Sequence, residues 1–237
     1  MSFEKLWDRM KMYEKHNNQS LLHNWYHILR IDGKAFHTFT KWLIKPFDKS
    51  LKRAFVNTLT SLMWRNHEGI QLAKIWYHQS DEISILFHAN EDVNQELWFK
   101  WKIQKIVSVA SSLTTWYFNK YYNYRNNKIA FFDTRVFSLP NKDEVYNYFL
   151  WRTRDCYKNA IQSIARTQFS QKELHQKHSW MLRDMISKWN WLKVEECSNF
   201  DIYWTYILSW NDREYYLKDN FEDIKNWLEP HLKTYWE

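Results

Sequence analysis

The sequence predicts an α+β fold: an antiparallel sheet with helices on one face, followed by a small helical and β extension. Two observations predict it. Segments of alternating apolar residues and segments of helical apolar spacing follow one another in the order β, α, β, β, α, β, which is the split βαβ arrangement of ferredoxin-like sheets. Two helix-capping signatures then follow in the last hundred or so residues, marking a helical C-terminal part. The 237 residues include three prolines and contain no fixed repeat, no low-complexity tract and no long polar linker. The chain therefore divides into a main body over residues 1–140 and a helical and mixed region over 141–237 packed on it.

Each element has its own signal. Phe3 to His16 carries Phe3, Leu6, Trp7, Met10 and Tyr13 at the spacing of an amphipathic helix. Tyr26 to Asp32 is β-rich and ends at the Asp32-Gly33 turn signal, so the first strand delivers a carboxylate to its C-terminal end. Ser50 to Arg65 reads as a helix. Ala73 to His78 and Ile83 to Phe87 read as strands joined by Gln79-Ser80-Asp81-Glu82, a hairpin with acids at its tip. Asn94 to Tyr121 has a long helical pattern, and Lys128 to Phe137 reads as a further strand. Asn141-Lys-Asp-Glu144 has the form of a capping box before a helix from about Asp143 to Thr167, and Ser170-Gln-Lys-Glu173 repeats that form.

Composition narrows the class. With 45% hydrophobic and 26% charged residues the chain is neither a disordered tail nor a fibre. No stretch approaches the ~18 uninterrupted apolar residues of a membrane span, and Met1 to Lys15 lacks the apolar region of a signal peptide, so the expected compartment is the cytoplasm, with no membrane partner. Cys156 and Cys197, with no C-x-x-C spacing, are expected to be reduced thiols. Lys plus Arg at 34 against Asp plus Glu at 27 gives +7 and an isoelectric point near 9.2, a balance that favours a polyanionic partner.

Glycine is scarce. About 7% of residues is usual, or roughly 17 in a chain of this length, whereas there are 2, beside 16 tryptophans. Both counts are reconciled if some of these tryptophans come from codons that the source organism reads as glycine. The coding DNA tests this, and ordinary tryptophan codons at every such position would remove the idea.

In a split βαβ sheet the end of the first strand lies beside the hairpin, so Asp32 converges with Asp81 and Glu82. Hard divalent cations such as Mg²⁺ take one or two carboxylates together with backbone, water and phosphate oxygens, and a pair of such ions serves phosphoryl transfer. His175-x-x-His178 lacks a third ligand and reads as a solvated face. Tyr117, Tyr121, Tyr122 and Tyr124 beside Lys120 and Arg125 mix aromatic and basic groups as RNA-contacting surfaces do; a core edge with a solvated rim explains the same pattern and is slightly favoured.

Six ordered segments carry a resemblance. Arg30-Ile-Asp-Gly-Lys-Ala-Phe-His-Thr-Phe-Thr40, Tyr77-His-Gln-Ser-Asp-Glu-Ile-Ser84, Lys102-Ile-Gln-Lys-Ile106, Phe131-Phe-Asp-Thr-Arg-Val-Phe137, Trp151-Arg-Thr-Arg-Asp-Cys-Tyr-Lys-Asn159 and Phe169-Ser-Gln-Lys-Glu-Leu174 resemble the tRNA(His) guanylyltransferase family, over about Phe3 to Ile186. The resemblance implies a polymerase-like palm over 1–140 that adds nucleotides in the 3′-to-5′ direction at tRNA 5′ ends. It implies two Mg²⁺ ions held by Asp32 and Asp81, with the Gly33 carbonyl as a backbone ligand and Glu82 supporting the site. It places Arg30 and Ser80 near bound nucleotide, with Lys34 as a further nucleotide-binding candidate. Lys102 and Lys105, three residues apart on one helical face, are candidate triphosphate contacts, with a solvated helix face as the alternative. Asp155 and Asn159 match the family pattern as tRNA or fold support. The implied partners are tRNA, ATP or GTP and other NTPs, and the implied assembly is a homotetramer.

Two departures stand out. Eukaryotic members that recognise tRNA(His) carry H-I-N-N where this chain has Cys156-Tyr-Lys-Asn159, with Thr153 in place of the usual Gln, and this favours the branch that resembles template-dependent repair enzymes. Trp7, Trp42 and Trp76 stand where relatives have glycine, in line with the codon reading. A noncatalytic RNA-binding relative is the alternative, separated by Mg²⁺-dependent incorporation of labelled NTP. A nucleotide cyclase of the diguanylate cyclase type is disfavoured by the absence of a G-G-D-E-F tip.

Overall fold

The computed structural model describes residues 3–15, 18–23, 25–64, 70, 73–88, 98–122, 128–188, 192–198, 201–202, 205–208, 214–215 and 221–232. Its elements are α1 (Phe3–Lys15), β1 (Tyr26–Gly33), α2 (Phe36–Phe39), α3 (Lys49–Trp64), β2 (Ala73–Gln79), β3 (Glu82–His88), α4 (Ile103–Tyr121), β4 (Phe132–Leu139), α5 (Lys142–Gln168), α6 (Gln171–Leu174), α7 (Ser179–Lys188), β5 (Thr205–Leu208), β6 (Glu214–Tyr215) and α8 (Phe221–Leu232). The strands form one sheet in the order β4-β1-β3-β2-β5-β6, every neighbouring pair antiparallel. β3 lies between β1 and β2, so the carboxyl end of β1 and the hairpin turn meet at the same edge of the sheet.

Helices cover both faces of the sheet, not one as the sequence predicts. Leu29 and Ile31 of β1, with Trp76, Ile83 and Ile85, pack against Phe55 and Leu59 of α3 and Ile106 and Phe118 of α4. The opposite pleat, Tyr26, Ile28, Ile75, Tyr77 and Leu86, packs against Val145, Tyr146 and Phe149 of α5 and Ile224 and Leu228 of α8. Residues i and i+1 of a strand point to opposite faces, so a near-continuous apolar run such as Tyr26 to Ile31 needs cover on both. Tyr206 of β5 stacks on Tyr77 at 4.3 Å between ring centres, and Tyr146 donates a hydrogen bond to Glu229 of α8. The C-terminal part thereby supplies both strands and helices to the central sheet.

Three boundaries differ from expectation for local reasons. The helical pattern from Asn94 resolves into a helix only from Ile103; Asn94 to Leu97 lie outside the described residues, and Phe99, Lys100 and Trp101 have φ of 51°, 51° and 56°, which no right-handed helix accommodates. Among the described tryptophans, Trp101 has the backbone that favours glycine, with φ of 56°; Trp76 is buried in the sheet, whereas Trp7 and Trp42 are exposed. The strand expected from Lys128 begins at Phe132, because both backbone groups of Ala130 are bonded by the Asn119 side chain of α4, at 2.9 and 2.8 Å. Ser170 to Glu173 does form a capping box, but α6 is a single turn, and His175 and His178 fall in the connection to α7 instead of sharing a helix face.

The other capping signature opens α5, where Asn141 accepts from the Glu144 N–H at 2.9 Å. Of the tyrosine cluster, Tyr117 and Tyr122 are buried, while Tyr124 and Arg125 lie outside the described residues. Cys156 and Cys197 are free thiols. Among the described residues no helix is long and apolar enough to cross a membrane.

Candidate active site

Register places the acids. Asp32, next to last in β1, stands opposite Glu82 of β3 and Asp133 of β4, on the sheet face that α5 covers. The β2–β3 connection is the two-residue turn Ser80-Asp81, with Ser80 at φ 51°, the left-handed conformation that tight hairpins require. The Gly33 N–H donates to the Asp81 carbonyl at 3.0 Å and ties the strand end to the turn. Gly33 has no room for a side chain: a Cβ there would lie 2.2 Å from the Phe36 ring.

His78 anchors the same turn from beneath. Its buried Nε2–H donates to the Ser80 carbonyl at 3.1 Å, and its ring lies 4.6 Å from that of Phe55. Burial lowers its pKa to about 3, so the imidazole is neutral at physiological pH.

The two carboxylates at the turn have different surroundings. Burial, then the nearby charge of Asp32, raises Asp81 from 3.8 to about 6. Asp81 is therefore the group whose ionised form most needs a neighbouring cation. Burial also raises Glu82, against the opposing influence of Arg152 and Arg30. Arg152 of α5, 5% exposed, donates to Glu82 Oε2 at 2.7 Å and lies 3.3 Å from Asp155; Arg30 Nε lies 3.8 Å from the same Glu82 oxygen. Gln79, with its amide oxygen turned toward the guanidinium, accepts from Arg152 Nη2 at 2.6 Å and donates to the Arg152 carbonyl at 2.7 Å. Ser84 bridges Glu82 to the Tyr148 hydroxyl at 3.3 and 2.7 Å. Glu82 is thus locked into a buried network, while the half-buried Asp32 and Asp81 border the space beside it.

That space is a cleft of about 290 Å³ lined by Asp32, Ser80, Asp81, Glu82, Arg152, Asp155 and Asn159. It shares Ser80, Asp81, Asn159 and Arg166 with a larger cavity of about 940 Å³, lined also by Lys41, Lys45, Lys49 and Lys52 around the start of α3. Among the sequence-predicted residues, the fold gathers Asp32, Ser80, Asp81, Glu82, Asp155 and Asn159, with Gly33 adjoining Asp32. Arg30 lies behind Glu82. Lys34 is exposed just past β1, and Lys102 and Lys105, at the N-cap and first turn of α4, line neither space.

The sequence expectations do not include Arg152, although it lies in the Trp151-Arg-Thr-Arg154 segment that carries the resemblance, nor the four cavity lysines. The lysines' only signal is their close spacing ahead of and within the first turns of a helix.

Residues 7–140 match the family model described as tRNAHis guanylyltransferase, more than half of the chain. The chain belongs to the tRNA(His) guanylyltransferase family. Its members are nucleotidyltransferases. A tRNA(His) guanylyltransferase of Candida glabrata is 29% identical over 178 residues, 70% of this chain and 70% of that one. An uncharacterized protein of Acanthamoeba polyphaga mimivirus is 26% identical over 94% of this chain and 81% of its own. Among solved structures, a bacterial tRNA(His) guanylyltransferase-like protein in complex with ATP superposes with a TM-score of 0.87 at 33% identity, covering 96% of this chain and 99% of the other. A bacterial guanylyltransferase-like protein in complex with GTP gives 0.71 at 34% identity, covering 91% and 88%. In this member of the guanylyltransferase family, Asp81 lines both the acidic cleft and the larger cavity that bears the lysines, while Asp32 lines the cleft alone.

Proposed function

We propose that this chain is a Mg²⁺-dependent nucleotidyltransferase with a polymerase-like palm that adds nucleotides in the 3′-to-5′ direction to tRNA 5′ ends. The observation that carries the reading is the convergence of Asp32 and Asp81, the latter with its pKa raised to about 6, beside a cavity bearing four lysines. The donor set fits a hard divalent cation: carboxylate oxygens at a turn, room for phosphate oxygens and, among the described residues, no thiolate or imidazole lining the cleft. Asp32, Asp81 and the Gly33 carbonyl would hold two Mg²⁺ ions. When bound, the ions supply charge stabilisation at the transferring phosphoryl group and lower the pKa of the attacking hydroxyl.

The chain's own residues do the positioning. Lys41, Lys45, Lys49 and Lys52 meet the triphosphate of a nucleotide in the larger cavity, and Ser80 lies between it and the carboxylates. Arg152 holds Glu82 still, which in turn fixes the first residue of β3 and the turn before it. Arg30 neutralises the rear of the site. Lys34, Lys102, Lys105, Asp155 and Asn159 lie around or outside the cleft, where phosphates of nucleotide or tRNA can approach.

Activation of a 5′-monophosphate by ATP or GTP makes a nucleotidyl-tRNA. The 3′-hydroxyl of an incoming NTP then attacks the tRNA 5′ phosphorus and expels the activating nucleotide; a 5′-triphosphate end releases pyrophosphate instead. In-line placement and charge neutralisation are the whole task of the protein. The family resemblance supports a homotetramer as the assembly.

The test uses 5′-truncated tRNAs that differ only in the base opposite the missing nucleotide, with Mg²⁺ and each NTP supplied separately. With Cys156-Tyr-Lys-Asn159 in place of H-I-N-N, the preferred NTP is expected to follow the opposing base. A mispaired NTP misplaces its 3′-hydroxyl, and ~1 Å of misplacement costs on the order of 10²-fold in rate. Addition of GTP alone, whatever base lies opposite and only to tRNA(His), would replace templated repair by tRNA(His) guanylylation. No incorporation at all would point to the noncatalytic relative.

tRNA binding is expected to weaken steeply with salt, because each Lys or Arg contact to phosphate releases condensed counterions. The +7 balance motivates the expectation. Fluorescence anisotropy between about 50 and 200 mM salt measures it: roughly six phosphate contacts would lower affinity on the order of 10³-fold, and a flat dependence would remove phosphate recognition from the account.

A further inference from the structure

The acidic cleft and the lysine-bearing cavity meet along a shared rim. Gln79, Ser80 and Asp81 of the β2–β3 hairpin form one side of it, and Asn159, Ser163 and Arg166 of α5 form the other. The three α5 residues stand at i, i+4 and i+7, which sets them on one face of the helix over about 10 Å of its length. An amide, a hydroxyl and a guanidinium thus follow one another along the passage between the two spaces.

Charge singles out the last of them. The described residues of the cleft bring four carboxylates, Asp32, Asp81, Glu82 and Asp155, against two guanidiniums, Arg152 and Arg166. Arg152 is committed to the protein, at 2.7 Å from Glu82 and 3.3 Å from Asp155, and it does not line the larger cavity. Lys41, Lys45, Lys49 and Lys52 line the larger cavity and not the cleft. Arg166 is therefore, among the described residues, the one cation that borders both spaces, and no described carboxylate lies within ion-pairing distance of it. A cation in the last turn of a helix ordinarily serves the helix dipole from solvent. Here the end of α5 has its own closure, the Phe169 N–H donating to the Ala165 carbonyl at 2.9 Å.

That position matches one chemical feature of the reaction. When a 5′-phosphate oxygen of tRNA attacks the α-phosphorus of ATP, one P–O bond forms, another breaks, and pyrophosphate leaves with the bonding electrons. A diphosphate bridge then joins the activating nucleotide to the tRNA 5′ end. With the nucleotide in the lysine cavity and the 5′ end at the carboxylates, that bridge lies across the rim. A planar guanidinium offers parallel N–H donors to two phosphate oxygens at once, which an ammonium cannot. We propose that Arg166, with the Ser163 hydroxyl one turn before it, binds this diphosphate bridge and so favours the activated 5′ end over a free mononucleotide. The inference rests on the nucleotidyltransferase reading and adds to it the residue that joins its two spaces.

The test is binding by titration calorimetry with Mg²⁺ present, using a 5′,5′-linked diadenosine diphosphate as the probe and AMP as the reference. Arg166→Met keeps a stem and removes the fork. It should reduce the preference for the dinucleotide over AMP on the order of tenfold, the scale of a charge-assisted hydrogen bond. Arg166→Lys keeps the charge and should bind the dinucleotide more tightly than Arg166→Met does. Arg166 is exposed, so both variants should melt with the wild type. A wild type that binds the dinucleotide no better than AMP, an unchanged preference in Arg166→Met, an equal loss of both ligands, or an Arg166→Lys no better than Arg166→Met would each overturn the site. Binding needs no turnover, so the two readings fail separately. If no NTP is incorporated and the preference still depends on Arg166, the enzymatic reading falls and the diphosphate site stands; if NTP is incorporated and the preference ignores Arg166, the reverse holds.

Discussion

Asp32→Ala and Asp81→Ala are each expected to abolish nucleotide addition while the protein stays folded. Both carboxylates line the cleft, and removing a charge-stabilising contact worth several kcal/mol slows the reaction on the order of 10³-fold or more. Single-turnover incorporation of labelled NTP measures it, and near-normal turnover in either variant would end the metal assignment.

Asp81 adds a signature that does not depend on activity. Its folded pKa of about 6 exceeds the ordinary 3.8, so between those values the native state holds a proton that the unfolded chain has lost. Stability of the cation-free protein therefore falls as pH rises through that window and levels off above it. In Asp81→Asn this part of the pH dependence should vanish, and the cation-free variant should melt higher than the wild type at pH 7. Mg²⁺ should raise the wild-type melting temperature and leave the variant's nearly unchanged. A variant that melts lower than the wild type without cations would contradict the placement of Asp81.

Arg152→Met is expected to be the most destabilising single change near the site. It strips Glu82 of its 2.7 Å partner, and Gln79 of its contact, at a position where Glu82 is 7% exposed. Removing one partner of a buried pair costs about 3 to 5 kcal/mol, because the remaining carboxylate has lost water and keeps only the more distant Arg30, at 3.8 Å, and Ser84, at 3.3 Å. Urea unfolding measures the loss. Adding Glu82→Gln to Arg152→Met removes the stranded charge and should restore much of the stability, yet not the activity, since the Ser80-Asp81 turn loses its anchor on α5. If Arg152→Met unfolds within about 1 kcal/mol of the wild type, the network is not what holds Glu82.

Much of the site was legible because it is encoded locally. Asp32-Gly33 ends a β-rich run, and Ser80-Asp81 sits between two others; strand, turn and hairpin each follow from a few adjacent residues. Convergence followed from element order alone, since a strand inserted between two others brings their ends to one edge. Boundaries were less legible where a distant side chain intervened. Nothing in Lys128 to Phe131 announces that Asn119 will bond Ala130 and delay β4 to Phe132. The extended spacing before Ile103 likewise gives no sign of three consecutive residues at positive φ.

The sequence by itself determined which acids exist, that they cap β-rich segments, and that six ordered motifs resemble one nucleotidyltransferase family. Only the tertiary structure decided that α5 crosses the second face of the sheet and delivers Arg152 to Glu82. It also decided that four lysines gather around one cavity. The physical reason is range. Strand alternation, turn chemistry and capping act over a few residues and are written in neighbouring letters, whereas a buried ion pair joins residues 70 positions apart. Its partners are chosen by which faces pack together, and packing depends on the apolar surface of the whole chain at once.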